Sequence, residues 1–160
     1  MNIYFRPVEF SDLDTLLHHR NQTETRKWLE HEELINKDLQ NQWYKKGEAK
    51  DFCIICHDGL SRGLSRVKKI NEITVQVGLD IFKDYRGQGL ASEYFSRLIY
   101  EHCKEFKKFE LWVFLDNKPA ISVYKKIGFE LDNSTPVRLI KRSWASEKDV
   151  FPYAKMIFNK

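Results

Sequence analysis

Cysteine is scarce: Cys53, Cys56 and Cys103 are the only three in 160 residues. A sparse, odd set excludes a disulfide-built scaffold, and the thiols are expected to stay reduced. Cys53 and Cys56 have the gap of half a zinc site, with His57 beside them. No second cysteine pair completes it, and a strand over 52–56 sends residues three apart to opposite faces. Long apolar runs are also missing. No window approaches the roughly eighteen residues of a membrane span. Met1–Arg6 lacks the basic and apolar regions of a secretory leader, so a cytoplasmic location is expected. Charge of one sign is not in excess either. Lys and Arg number 27 against 23 Asp and Glu, for a net +4. That balance gives no basic stripe for nucleic acid, and Lys104-Glu105-Phe106-Lys107-Lys108 reads as the solvated end of a helix. It suits an anionic cofactor. Repeats, linkers and low-complexity runs are absent, so residues 1–160 are expected to form one domain.

Hydrophobic patterning supplies the elements. Strands are expected over 1–8, 52–57, 63–69, 73–81, 109–115, 129–131 and 152–158, with Asp58-Gly59 as a hairpin turn. Helices are expected after Ser11-Asp12, with Leu13, Leu16 and Leu17 inward, and over 37–45. In the second, Asn36 is the cap and Leu39, Trp43 and Tyr44 point inward. A third carries Leu90, Ala91, Tyr94, Phe95, Leu98, Ile99 and His102 on one stripe, and a fourth covers 118–127. Residues 23–35 and 132–149 carry no clear period. An added strand in 132–149 or near the C-terminus is a candidate edge for a homodimer.

The strongest signal is Val77-Gly78-Leu79-Asp80-Ile81-Phe82-Lys83-Asp84-Tyr85-Arg86-Gly87-Gln88-Gly89-Leu90-Ala91. A strand that feeds a glycine turn and then a helix start builds an anion site from backbone N–H groups. A triphosphate loop needs Lys and Ser or Thr after its last glycine, but Leu90 and Ala91 follow. A dinucleotide loop needs a third glycine where Ser92 stands. Arg86-Gly87-Gln88-Gly89-Leu90-Ala91 instead resembles the coenzyme A pyrophosphate loop of the GCN5-related N-acetyltransferase (GNAT) family. A second segment agrees with it. Leu111–Leu115 reads as a buried strand, Asp116-Asn117-Lys118-Pro119 breaks it, a helix follows, and Gly128 stops that helix. Asn117, Ala120, Tyr124, Lys126 and Gly128-Phe129 resemble the second GNAT signature, at the expected offset from the first. These motifs cover residues 72–130; the rest agrees in element order.

The resemblance implies an α/β fold of the α+β kind. A mixed central sheet is splayed between strands 4 and 5, flanked by about four helices, with acetyl-CoA in the split. It implies acetyl transfer from acetyl-CoA to a primary amine on a small molecule. Backbone groups of Leu79, Asp80 and Ile81 would hold the pantetheine and thioester. Gly87, Gln88, Gly89, Leu90 and Ala91 would cradle the pyrophosphate, with charge from Arg86. Asn117 would order the loop or touch the cofactor arm, and Tyr124 would protonate the departing thiolate.

The proton acceptor departs from the family pattern. Many relatives carry Glu where Gln76 stands, and a neutral amide takes no proton at pH 7. Glu72 is the candidate base, through water; Asp80 shares its strand parity but lies nearer the cofactor. Lacking a strong base, the chain suits an acidified amine, such as a sugar amine or a protein α-amino group with pKa near 8. His19-Arg20-Asn21, Arg26-Lys27-Trp28 and Gln42-Trp43-Tyr44 are similar in order to relatives acting on nucleotide-linked amino sugars and to ribosomal-protein N-acetyltransferases. Arg20, Asn21, Arg26, Trp28 and Gln76 are the candidate acceptor contacts. The leading expectation is the 4-amino group of a nucleotide-linked amino sugar. A peptide N-terminus and a non-catalytic acyl-CoA-binding module remain open beside it.

Overall fold

The computed structural model describes residues 1–160 and builds a mixed α/β fold on one eight-stranded sheet. Its strands are β1 (Ile3–Pro7), β2 (Phe52–His57), β3 (Leu60–Lys69), β4 (Thr74–Ile81), β5 (Lys108–Phe114), β6 (Glu130–Leu131), β7 (Arg138–Ile140) and β8 (Phe151–Asn159). Its helices are α1 (Leu13–Asn21), α2 (Thr23–Arg26), α3 (Lys37–Lys45), α4 (Ala91–Arg97) and α5 (Lys118–Ile127). The strand order is β1-β2-β3-β4-β5-β8-β6, and β7 also pairs with β8. The expected class and element order hold. The additions fall where the sequence has no period: α2 is a single turn, and β7 lies within 132–149.

β2 and β3 form a hairpin through Asp58 and Gly59, whose φ values of 49° and 81° give the turn that matches strand twist. β4 and β5 run parallel, and only Thr74–Gln76 pairs with Lys108–Glu110. Beyond that point the strands part. Residues 77–81 stay on β3 and residues 111–114 stay on β8, but their facing edges have no sheet partner. The splay expected between the fourth and fifth strands is therefore present.

Strand alternation sorts the side chains onto two faces. On one face Val75, Val77, Phe109, Leu111, Val113 and Met156 pack with Phe95, Leu98 and Ile99 of the helix beginning at α4. That helix continues beyond Arg97 as a π turn, Leu98–His102, closed by the Cys103 amide on the Leu98 carbonyl at 2.8 Å. Leu98 and Ile99 are completely buried, each contributing about 1.5–3 kcal/mol relative to exposure. On the other face Ile54, Cys56 and Leu64 pack with Leu13 and Leu16 of α1 and Trp43 of α3. Cys53 lies toward His102, with Sγ 3.5 Å from Nε2, so the cysteine pair is divided between the two faces. Asn36 caps α3 by accepting from the Leu39 amide at 2.8 Å, as its position implies. Leu39 itself is half-exposed and Gln40 is buried in its place, so the inward face of α3 is rotated from the expected one. No helix is long and apolar enough to cross a membrane.

Candidate active site

The loop after β4 turns through Gly87 and Gly89, at φ 74° and 72°. Side chains rarely adopt that left-handed region, and glycine enters it without strain. A Cβ built on either glycine meets nothing within 4 Å, so the turn is open to its surroundings. The first helical bond runs from the Tyr94 amide to the Leu90 carbonyl. The amides of residues 87–93 have no acceptor in the protein. A continuous run of free N–H groups at a helix start is an anion cradle, and each bond to a charged oxygen contributes about 1.5–3 kcal/mol.

Behind this loop lies a cleft of about 190 Å³, lined by Leu79, Ile81, Ala91, Phe95, Ala120, Val123 and Tyr124. It lies between β4, α4 and α5, on the side of the sheet where β4 has lost its neighbour. An apolar slot leading from an anion cradle to unpaired strand edges fits a chain with a phosphate head, an extended amide-bearing arm and a thioester tip. Tyr124 closes the slot. Its ring packs on Phe95 and Phe129 at 5.4 and 6.1 Å between centroids. Burial, and secondarily the charge of Asp80, pushes its phenol above the ordinary 10. The hydroxyl is therefore protonated at neutral pH and makes no hydrogen bond within the protein.

Arg86 does not project toward the cradle. Its Nε donates to the Ile81 carbonyl at 2.8 Å, its Nη2 donates to Thr25 Oγ1 at 3.0 Å, and Asp80 Oδ1 lies 3.7 Å away. The guanidinium thus ties the end of β4 to α2, which leaves the cradle to backbone dipoles. Asn117 caps α5, its Oδ1 accepting from the Ala120 amide at 3.4 Å, which fits the loop-ordering role.

The structure does not bring Glu72 to the cleft. It lies in the bend before β4, its side chain 89% exposed and paired to Lys69 at 2.7 Å. At about 3.3 Å per residue, the paired stretch Thr74–Gln76 keeps it away from the point where the strands part. Strand parity does not extend to it, because β4 begins at Thr74 and Glu72 precedes the strand. Gln76 sits where the β4–β5 pairing ends, opposite Glu110.

The expected acceptor contacts on α1 and α2 are committed to a loop. Arg20 donates to the His31 carbonyl at 2.6 Å and Arg26 to the Glu32 carbonyl at 2.7 Å. Asn21 donates to the Ile35 carbonyl at 2.8 Å and accepts from the Ile35 amide at 3.0 Å. Burial lowers the Arg20 guanidinium, and its Nη1 is left without a partner. The Arg-Asn and Arg-x-Trp spacing therefore builds the connection between α2 and α3. Trp28 on that loop stacks against Arg142, 5.4 Å from ring centre to guanidinium.

The residues that wall the other side of the split are not among the contacts expected from the sequence. β5 and β8 alternation puts Trp112, Tyr153 and Lys155 on the face of α1. Trp112 and Tyr153 stack at 5.5 Å with an interplanar angle of 25°. The Arg138 guanidinium lies over both rings, and Lys155 over Trp112 while pairing with Glu110 at 3.5 Å. Burial, then the charge of Glu30, pushes the Tyr153 phenol up to about 12. Segment 132–149 is the strap that holds this wall. Arg142 is buried, donates to both oxygens of Asp116 at 2.9 and 3.2 Å, and lies over the rings of Phe114 and Phe151 at 3.6 and 4.2 Å. Arg138 pairs with Glu30, and Glu32 accepts from the Ser143 amide, so strap and loop meet. Alternation along β5 was the signal available for Trp112; nothing local marked Arg138 or Arg142.

Comparison with known proteins agrees with this geometry. The family model described as an acetyltransferase (GNAT) domain matches residues 2–130. Over 60 residues the chain is 38% identical to the L-amino acid N-acetyltransferase AaaT of Escherichia coli strain K12; the match spans 36% of this chain and 36% of that protein. Among solved structures, it is similar to a Vibrio cholerae spermidine N-acetyltransferase in complex with CoA and spermine. The TM-score is 0.80 at 17% identity, covering 98% of this chain and 95% of the other. It is also similar to a Brucella melitensis ribosomal-protein-alanine N-acetyltransferase, with a TM-score of 0.73 at 14% identity over 100% of both chains. At such identities the structural likeness establishes the fold.

Proposed function

The chain belongs to the GNAT acetyltransferase family, and from that premise we propose that it transfers an acetyl group from acetyl-CoA to the 4-amino group of a nucleotide-linked amino sugar. The observation that carries the acyl-CoA part is the run of amides at residues 87–93 with no protein acceptor, opening onto the apolar cleft that Tyr124 closes. In this reading those amides take the pyrophosphate, and the pantetheine lies along the unpaired edge of β4. The thioester carbonyl receives backbone N–H groups that the parted sheet leaves free. The amine attacks the carbonyl carbon, the C–N bond forms, the C–S bond breaks, and Tyr124 hydrogen-bonds the departing sulfur.

The acceptor part rests on the wall across the split. Trp112 and Tyr153 offer aromatic faces, and Arg66 offers a cation on the same side of the sheet, beside Arg138 and Lys155, which pair with Glu30 and Glu110 and would exchange those partners for phosphate. A nucleobase and a diphosphate need that combination. Thiol release from acetyl-CoA, measured across a panel of amines, tests the reading. Turnover on a nucleoside-diphosphate 4-amino sugar, well above that on spermidine, free amino acids and peptides, is the expected result. Preference for a peptide with a free α-amino group would move the acceptor to protein N-termini. CoA binding with no turnover on any amine would leave a binding module.

A further inference from the structure

On the acyl-transfer reading above, we infer that the Asp80 carboxylate, oriented by His19, receives the proton that the attacking amine loses. Asp80 lies on β4 beyond Gln76, where the strand has parted from β5. Its side chain shares the face of Gln76 and Gly78, opposite that of Leu79 and Ile81, which line the acyl-chain cleft. An amine approaching from the α1 side therefore meets this carboxylate before it meets a thioester held along β4. Tyr124 lines the cleft with Leu79 and Ile81, the residues on either side of Asp80 in β4.

The surroundings hold one oxygen of this carboxylate and leave its side chain partly exposed. His19 is buried on α1, its ring tilted against Phe82 with centroids 4.9 Å apart and Nε2 2.9 Å from Asp80 Oδ2. Its Nδ1 is buried and has no partner. A doubly protonated ring would bury an unsatisfied N–H there, whereas a neutral ring donating from Nε2 leaves only a bare acceptor. His19 thus holds one carboxylate oxygen in place through Nε2. The other oxygen, Oδ1, is 3.7 Å from Arg86 Nη2, which is itself engaged with Thr25. The Asp80 side chain is 38% exposed, so the carboxylate is in reach of solvent. As the C–N bond forms, the nitrogen turns acidic. Its proton passes to Asp80 and then to water, while the electron pair of the C–S bond leaves with sulfur.

The test compares the full-length wild type with Asp80→Asn, His19→Ala and His19→Gln in thiol release. The nucleophiles are the nucleoside-diphosphate 4-amino sugar, ethylamine and hydroxylamine, so the comparison does not depend on the acceptor reading. Asp80→Asn should lower kcat with the two amines by about 100-fold or more. Hydroxylamine, whose nitrogen becomes a stronger acid on attack and can lose its proton directly to water, should lose less than about threefold, and calorimetric CoA affinity should hold. His19 is a positioning residue. His19→Ala should cost roughly tenfold in kcat, and His19→Gln, which keeps a donor for Asp80, should recover most of it. Amine kcat within twofold of wild type in Asp80→Asn overturns the assignment while leaving acyl transfer intact. An equal fall for all three nucleophiles overturns it too, since a merely structural tie between α1 and β4 would act on every nucleophile alike. A wild type that turns over no amine removes the proton and the inference together.

Discussion

Replacing Tyr124 by Phe removes one oxygen from the cleft and little else. The ring contacts with Phe95 and Phe129 carry over to Phe, and no hydrogen bond within the protein is lost. Stability should therefore change by no more than about 0.5 kcal/mol. Burial holds the phenol above 10, whereas a thiol titrates near 8.5, so full proton transfer to the thiolate is uphill by at least about 2 kcal/mol. What Tyr124 provides is a hydrogen bond to sulfur as charge develops, which amounts to about 1.5–3 kcal/mol for a charged acceptor. The expected fall in kcat is roughly ten- to 150-fold, with CoA affinity unchanged. Thiol release at saturating acetyl-CoA, alongside a melting curve and CoA titration, reads all three quantities. A kcat within twofold of wild type, in a variant that melts normally and binds CoA, would refute the role. The sign of the pH effect also follows. An unfolded tyrosine ionises near 10 before the buried one does. The stability Tyr124 contributes is complete below pH 10 and lost as pH rises toward its folded value, so Tyr124→Phe should soften the alkaline loss.

Asp116→Ala strands the buried Arg142 guanidinium and should cost about 2–3 kcal/mol. In thermal melts that corresponds to a fall of about 4–12 °C for a chain of this size. Asn21→Ala removes both bonds to Ile35 and loosens the loop between α2 and α3. KM for the acceptor should rise several-fold, with CoA affinity within twofold of wild type; a CoA affinity that falls in parallel would place the loop elsewhere in the mechanism. Gly87→Ala and Gly89→Ala should each destabilise by about 1–2 kcal/mol through the left-handed φ alone, because the added methyl has space. Asp132 is held at about 2 by hydrogen bonds from Ser134 and Thr135. The stability it contributes is present above the ordinary carboxylate value and lost as pH falls toward 2, so acid melts of Asp132→Asn should lose that dependence.

What was legible in the sequence is what short-range physics dictates. Gly87 and Gly89 imply a turn of positive φ, Asn36 and Asn117 cap helices, Gly128 ends α5, and the β4 and α4 periods fix which side chains meet. The cofactor side of the site follows from those local signals because backbone amides and one helix make it. The acceptor side does not, because it is assembled from distant segments. Arg20, Asn21 and Arg26 look like a recognition motif in one dimension; their hydrogen bonds go to His31, Ile35 and Glu32. Glu72 precedes β4, and parity carries no information on where a strand begins or where two parallel strands part. Arg142 lies in a stretch without periodicity. Its place is set by Asp116 and by the rings of Phe114 and Phe151, contacts that only the fold brings together.

The most direct test of the cofactor site is to follow the backbone amides of ¹⁵N-labelled protein during titration with CoA. The N–H groups of residues 87–93 should show the largest shifts and gain protection from hydrogen exchange, with β4 residues 78–81 next. Saturable CoA binding that leaves residues 87–93 unshifted and unprotected would contradict it.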